Sequence, residues 1–128
     1  MNKVKFAAVA LAAAMALTSA TAMADRDAGD AEKGKKVFNK CKACHDIRAG
    51  KKKIGPSMFG IAGRPAGTVE GFRYSEAMKS SGVTWNDDNL DKYLEKPIKF
   101  VPKTKMSFPG LNKKNDRADV IAYLKTLK

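Results

Sequence analysis

Apolar residues recur at helical spacing near residue 30. Ala31, Gly34, Phe38 and Cys41 are three, four and three positions apart, which places them on one face of a helix. Asp30 stands immediately before this run, where its side chain can cap the first turn. The pattern therefore predicts a helix at the start of the folded part of the chain.

A second amphipathic pattern lies at the end of the chain. Residues 115–128 begin with asparagine and acidic residues and end with lysines, an order that suits the helix dipole. The apolar face of this predicted helix consists of Val120, Tyr123, Leu124 and Leu127.

Two further helices are predicted between these ends. Residues 84–87 resemble a capping box that leads into an apolar face, and Pro97 ends this helix. The face consists of Leu90, Tyr93 and Leu94. Residues 75–79 predict a shorter helix. Strand patterns are weak throughout, so the pattern predicts an all-α fold.

Two long segments, 46–70 and 97–113, are rich in glycine, proline and lysine and have no clear periodicity. Loops longer than about 12–15 residues are uncommon in compact domains unless they have a function. Something other than helix packing must therefore order these segments.

Residues 1–24 have the three parts of a secretory signal peptide. Two lysines precede an uncharged, alanine-rich run at 6–17, and a small-x-small cleavage site ends at Ala24. The run is shorter than the roughly 18 residues of a spanning helix, which argues against a membrane anchor. We expect cleavage after Ala24, a single domain over 25–128, and export to the periplasm of a Gram-negative host.

The chain is strongly basic, with 25 lysines and arginines, 13 acidic residues and a formal net charge of +12. An exported protein rarely meets nucleic acid, and the lysines are scattered singly or in short runs. We therefore expect an acidic protein partner and no nucleic acid.

Both cysteines and the one histidine of the chain lie in a single segment, residues 41–45, with the sequence CKACH. A disulfide is possible in an exported protein. A thioredoxin-like pair would need a βαβ context, which the pattern lacks. A zinc site would need a fourth ligand, and there is no second Cys/His cluster. The remaining alternative is c-type haem, for which Cys-x-x-Cys-His is the attachment signature.

The spacing favours haem among these alternatives. Cys41 and Cys44 would project from the same side of a helix, so two thiols can add to the two vinyl groups of one porphyrin. His45 could then reach the iron from that side. Haem c is attached outside the bacterial cytoplasm, in agreement with export. An apolar haem would also order the two long segments by giving them a centre to enclose.

Methionine is the remaining strong donor for the sixth iron position, because the chain has no second histidine. Met58 follows His45 closely, and Met78 lies in a predicted helix, where methionine more often packs in the core. Met106 lies in a loop between two prolines, 61 residues beyond His45, and is the best candidate. Two protein ligands leave the iron no open position, which suits electron transfer and not catalysis.

Five segments match a known family in order and spacing: GDAEKGKKVFNKCKACH, IGPSMFGIAGRPAGT, GFRYSEAMKSSGVTWNDDNLDKYLEKP, FVPKTKMSFPG and RADVIAYLK. They cover about residues 29–127 and resemble the class I c-type cytochromes, close to the branch of mitochondrial cytochrome c and the photosynthetic-bacterial carriers. The resemblance implies an all-α class I cytochrome c fold. In that fold the N- and C-terminal helices cross, and long loops wrap around one covalent haem c.

The resemblance also implies roles for individual residues. These are thioether attachment for Cys41 and Cys44, iron ligation for His45 and Met106, orientation of the proximal ring for Pro56, propionate binding for Arg64, Tyr74 and Trp85, and distal lining for Tyr93 and Thr104. Gly34 is expected to let the first helix approach Val120 and Tyr123 of the last helix closely.

Three features depart from the family pattern. Met78 stands where asparagine is frequent, and Lys103 stands where glycine usually precedes Thr-Lys-Met. Ile98 and Asn112 replace lysines of the basic ring that docks partners. The rest of that ring is expected at Lys40, Lys51, Lys53, Lys105 and Lys113.

Together these inferences predict a soluble, monomeric, periplasmic single-haem electron carrier that does not insert stably into membranes. It would take an electron from a membrane quinol-oxidising complex or a dehydrogenase. It would deliver the electron to a terminal oxidase, a reductase or a photosynthetic reaction centre. The alternatives are a peroxidase with a labile distal methionine and a dedicated redox subunit of one enzyme.

Overall fold

The computed structural model describes residues 28–128, so the predicted leader, residues 1–24, lies outside the described residues. The helices are α1 (Ala31–Val37), α2 (Glu76–Lys79), α3 (Asp87–Glu95), α4 (Pro97–Phe100) and α5 (Lys114–Leu124). Within this part of the chain the one extended pairing is an antiparallel bridge between Pro65 and Thr84. The all-α prediction is confirmed. None of the helices described is long and apolar enough to cross a membrane.

Helix α1 begins where the sequence predicts. The carboxylate of Asp30 accepts hydrogen bonds from the backbone N–H groups of Glu32 and Lys33, at 2.9 and 3.1 Å. These bonds satisfy two of the donors that a helix leaves open at its first turn. A 3-10 turn, Phe38–Lys40, follows α1 directly.

Helices α1 and α5 cross at a close contact. Phe38 and Val120 are each about 1% exposed, and the rings of Phe38 and Tyr123 lie 5.3 Å apart. Gly34 is buried against the backbone of Asp119, and a Cβ at Gly34 would collide with the Asp119 carbonyl. The missing side chain of Gly34 therefore sets the distance between the two helices.

Helix α3 has a different cap from the one predicted. Asn86, and not Thr84, accepts the hydrogen bond from the backbone N–H of Asn89, at 2.9 Å. Thr84 instead pairs with Pro65 in the isolated bridge, and its carbonyl accepts from Asn89 Nδ2 at 2.8 Å. Pairing across the chain, which local sequence cannot reveal, displaced the cap by two residues.

Segment 97–113 was predicted to be wholly loop, which is wrong for its first four residues. Pro97 follows the end of α3 and occupies the first turn of α4. Proline is favourable there because the first helical N–H has no intrahelical acceptor and the ring fixes a helical φ. Segment 46–70 carries no helix, as predicted. Helix α5 begins at Lys114, one residue before the predicted start.

Candidate functional site

The two cysteines lie in a tight turn that follows the 3-10 segment, and not in a regular helix. The backbone N–H groups of Cys44 and His45 both donate to the carbonyl of Cys41, at 3.1 and 2.9 Å. These bonds close a single turn of helical character. Cys41 and Cys44 are half-buried free thiols. Burial raises the pKa of the Cys41 thiol, so it is a weak nucleophile at neutral pH.

The His45 ring is held by the segment that follows it. Its Nδ1 lies 2.7 Å from the carbonyl oxygen of Pro56. A carbonyl can only accept, so Nδ1 carries the proton and Nε2 keeps its lone pair. Burial lowers the pKa of His45, which favours the neutral imidazole at pH 7. The result is an oriented ring with one nitrogen able to bind a metal.

Gly55 and its neighbours fix the position of that ring. The backbone N–H of Gly55 donates to the Cys44 carbonyl at 2.7 Å, which ties the loop to the cysteine turn. Gly55 is buried against the His45 imidazole, and a Cβ at this position would collide with the ring. Glycine is therefore required by contact with the imidazole.

A polar cluster after His45, which the sequence reasoning missed, supports this arrangement. The buried carboxylate of Asp46 accepts from the backbone N–H and the guanidinium of Arg48, with the shortest bond at 2.7 Å. Ser57 Oγ donates to the Arg48 carbonyl at 2.7 Å. The cluster returns the chain so that Pro56 faces His45. An aspartate two residues before its backbone donor is a typical turn signal and could have indicated it.

The candidate distal donor, Met106, lies beside two polar side chains. Tyr93 Oη is 2.9 Å from Thr104 Oγ1 and 3.7 Å from the sulfur of Met106. Burial raises the pKa of Tyr93, so its hydroxyl stays protonated and can donate to the sulfur. The backbone N–H of Met106 donates to Thr104 Oγ1 at 3.4 Å. Helix α3 thus holds the loop through Tyr93.

The other two methionines have different surroundings. Met78 is 8% exposed and belongs to the hydrophobic core, whereas Met58 is partly buried and packs against that core. Among the described residues, neither sulfur has a polar contact comparable with the one that Tyr93 makes with Met106.

The three candidate propionate residues lie in one neighbourhood. The backbone N–H of Trp85 donates to the Arg64 carbonyl at 2.9 Å. The Trp85 ring is buried and lies 4.9 Å from the ring of Tyr93, which links this group to the Met106 loop. Burial raises the pKa of Tyr74, while the nearby Arg64 charge acts in the opposite direction. The Tyr74 hydroxyl accepts from the backbone N–H of Val69 at 3.1 Å.

The five lysines predicted to dock a partner are all exposed. Two of them make hydrogen bonds to the backbone. The Lys53 ammonium donates to the Lys42 carbonyl at 2.8 Å, and that of Lys105 donates to the Arg73 carbonyl at 3.0 Å. Within residues 28–128, the side chains of the other three (Lys40, Lys51 and Lys113) have no hydrogen-bond or ion-pair partner.

The donor set fits a covalent haem. Two thiols lie one turn apart, an adjacent neutral imidazole has its Nε2 available, and a thioether is held by a phenol. Gly55 packs directly against the His45 imidazole, which restricts the ring to one orientation, as an iron ligand requires. Among the described residues no group of three or more His, Cys, Asp and Glu side chains forms an alternative metal site.

Comparisons with known proteins agree with this donor set. Residues 31–128 match the family model described as Cytochrome c. Cytochrome c from Euglena viridis is 50% identical over 101 residues, covering 78% of this chain and 99% of the relative. Cytochrome c2 from Rhodomicrobium vannielii is 49% identical over 119 residues, covering 92% of this chain and 93% of the relative. The solved structure of cytochrome cH from Methylobacterium extorquens has a TM-score of 0.73 and 45% identity, covering 77% and 99%.

Proposed function

The chain belongs to the cytochrome c family, and from this premise we propose that it is an exported electron carrier in which His45 and Met106 ligate the iron. Its fold is that of the class I c-type cytochromes, as the sequence predicts. Members of the family are electron-transfer proteins that carry one covalently attached haem c. The predictions of an electron-transfer protein and of its cofactor are thereby confirmed.

The observation that carries the proposed ligation is the bond between His45 Nδ1 and the Pro56 carbonyl, at 2.7 Å. It fixes the tautomer, so Nε2 is the donor atom, and it raises the basicity of the ring. Met106 supplies the second donor in this proposal, because Tyr93 of α3 holds the Met106 loop through Thr104. When bound, the haem supplies a one-electron couple, and a thioether ligand raises its reduction potential.

The remaining site residues hold and shield the cofactor in this proposal. Cys41 and Cys44 form the two thioethers. Arg64, Tyr74 and Trp85 would bind the propionates. The Arg64 charge acts on the Tyr74 hydroxyl, and a backbone hydrogen bond places Trp85 next to Arg64. With His45 and Met106 as its two protein ligands, the haem iron would have no position left for a small substrate, so the chemistry it would supply is electron transfer.

The docking surface is formed by the five exposed lysines, Lys40, Lys51, Lys53, Lys105 and Lys113. The net charge is +12 for the full chain and, without Lys3 and Lys5 of the leader, 23 − 13 = +10 for the mature domain. This charge attracts acidic partners over a distance comparable with the Debye length, about 10 Å at moderate salt. We propose that a quinol-oxidising complex or dehydrogenase donates the electron. An oxidase, reductase or reaction centre then accepts it from a monomeric carrier.

Residues 1–24 direct export in this proposal, and the mature domain begins at Asp25. The pattern of lysines, apolar run and small-x-small site supports this. The match to cytochrome c2 of Rhodomicrobium vannielii spans 119 residues and 92% of this chain, which is more than the 128 − 24 = 104 residues of 25–128, so it includes part of the leader region. N-terminal sequencing of the periplasmic protein tests the cleavage site.

The carrier role is tested by the salt dependence of electron transfer. The reduced protein is mixed with membrane vesicles from its host, and its oxidation is followed by absorbance. We expect the rate to fall about tenfold as salt rises from low to physiological ionic strength, because steering by lysines is screened. Lys40→Gln should slow the reaction, and Lys128→Gln, the charge-matched control, should not. A rate independent of salt would contradict the proposal.

A further inference from the structure

Arg117 is the one buried cation in the described part of the chain. Arg117 is 6% exposed, whereas the other lysines and arginines of residues 28–128 are partly or fully exposed. Burial of a guanidinium is costly unless every donor has an acceptor. The hydrogen-bond acceptors around Arg117 therefore explain how α5 accommodates a buried guanidinium.

The guanidinium of Arg117 joins three parts of the molecule. Its Nε donates to Asp91 Oδ1 of α3 at 2.7 Å. Its Nη1 donates to the backbone carbonyls of Leu111 and Asn112, at 2.8 and 3.2 Å. Helix α5 is thus connected both to α3 and to the segment that leaves the Met106 loop.

The Met106 loop consists of residues 101–112, and the segment that Arg117 contacts is its C-terminal end, Leu111 and Asn112. The backbone N–H of Leu111 donates to the Leu94 carbonyl at 2.7 Å, which adds a second link to α3. Gly110 has a φ of 114° and lies against the Glu95 carbonyl, where a Cβ would collide. The loop therefore closes against α3 within five residues of Met106.

The two ends of the loop are held by different side chains. Tyr93 holds the N-terminal part through Thr104, at 2.9 Å. Arg117 holds the C-terminal part through Leu111 and Asn112. Met106 lies between these two points, so the release of either one weakens the attachment of its loop to the rest of the fold.

We propose that Arg117 is a positioning residue for Met106, acting with Asp91 to keep the loop closed. The inference rests on the proposed assignment of Met106 as an iron ligand. Asp91 orients the guanidinium, and the guanidinium satisfies the two carbonyls at the loop end. Loss of Arg117 leaves those carbonyls without their charged donor, which favours opening of the loop at neutral pH.

The test measures opening of the loop in the oxidised holoprotein. Imidazole displaces a methionine ligand only when the loop opens, so its binding rate at saturating concentration reports the opening rate. We expect Arg117→Met to raise that rate about tenfold, the equivalent of one lost charge-assisted hydrogen bond. Arg117→Lys should keep part of the restraint, so its limiting rate should lie between those of the wild type and Arg117→Met. Asp91→Asn should raise the limiting rate less than Arg117→Met does.

Asp87→Asn is the matched control. It removes the same kind of carboxylate from the same helix, but its partner is Lys125, at 2.9 Å, and both side chains are exposed. The limiting imidazole rate should not change in this variant. Denaturant unfolding of each variant is measured in parallel, because local opening requires less free energy than global unfolding.

Hydrogen exchange at the Leu111 amide gives a reading that does not depend on the iron ligand. Asp91→Asn should weaken protection there, and Asp87→Asn should not. The proposal is overturned if Arg117→Met and Asp91→Asn lower global stability without changing either the limiting rate or this protection. If Arg117→Met yields no holoprotein, Asp91→Asn decides. If the wild-type spectrum showed no methionine ligation, the assignment of Met106 as an iron ligand would be overturned. That failure is distinguishable from failure of the Arg117 proposal, which is read from hydrogen-exchange protection of the Leu111 amide.

Discussion

Lys103 has a backbone conformation that side chains disfavour. Its φ is 66°, and among residues 28–128 it is the one non-glycine residue with a positive φ. It lies three residues before Met106, where the family resemblance implies glycine. The left-handed conformation costs about 1–2 kcal/mol for a residue with a Cβ.

We therefore expect Lys103→Gly to raise the free energy of unfolding of the holoprotein by about 1 kcal/mol. Lys96→Gly is a control with the same loss of charge at an exposed position where φ is −154°. It should destabilise the protein slightly, since glycine gains more freedom in the unfolded chain. Guanidinium unfolding measures both. Equal effects of the two substitutions would contradict this explanation.

Gly55 has a requirement of a different kind, since the His45 ring occupies the space of a side chain. Gly55→Ala should displace the imidazole, lower the yield of low-spin holoprotein and shift its reduction potential. Gly50 is the control because it has a φ of 70° and no atom within 4 Å of an added Cβ. Gly50→Ala should reduce stability without changing the visible spectrum. An unaltered spectrum in Gly55→Ala would contradict the proposed role.

At the scale of elements, the crossing of α1 and α5 requires a close backbone approach at Gly34. A Cβ at Gly34 would meet the Asp119 carbonyl and the Tyr123 Cβ, and a helix backbone cannot move aside as a side chain can. We expect Gly34→Ala to lower the free energy of unfolding by about 3 kcal/mol, despite the better helix propensity of alanine. Lys35→Ala, exposed on the same helix, should change it little. If Gly34→Ala left the free energy of unfolding unchanged, close packing at Gly34 would not be what stabilises the crossing.

The helices that the sequence predicts well are those whose signals are local. The apolar faces of α1 and α5 and the Asp30 cap follow from spacing and capping chemistry alone. Predictions failed where distant contacts decide, as at Thr84, which pairs with Pro65. Helix α4 was missed because Pro97 is both a stop signal for α3 and a favourable first residue of the next helix.

The candidate site divides in the same way. The CKACH signature and the distant methionine are visible in the sequence, and the family pattern points to Pro56, Tyr93 and Thr104. The Asp46 cluster had a local turn signal that the sequence reasoning overlooked. The link through Arg117 could not be foreseen, because its acceptors, the Asp91 carboxylate and the carbonyls of Leu111 and Asn112, are brought together only by the fold. A buried arginine has no local signature that distinguishes it from an exposed one.

At the scale of the whole molecule, the chain supplies little regular structure between the cysteine turn and α2. Segment 46–70 has no helix, and a domain of this size has a modest core. We expect the chain without haem, made by expression without the attachment machinery, to have far less helicity than the holoprotein. Circular dichroism in the far ultraviolet measures this. Native-like helicity in the apo chain would show that the protein core suffices.

The central claim is that one haem is held between His45 and Met106 for electron transfer. Its most direct test is the visible spectrum of the purified holoprotein and of three substitutions, Met58→Leu, Met78→Leu and Met106→Ala. The wild type, Met58→Leu and Met78→Leu should show sharp low-spin bands when reduced, and the weak far-red band of methionine-ligated ferric haem when oxidised. Met106→Ala should lose that far-red band and bind carbon monoxide rapidly when reduced. Persistence of the band in Met106→Ala, or its loss in Met58→Leu, would contradict the account.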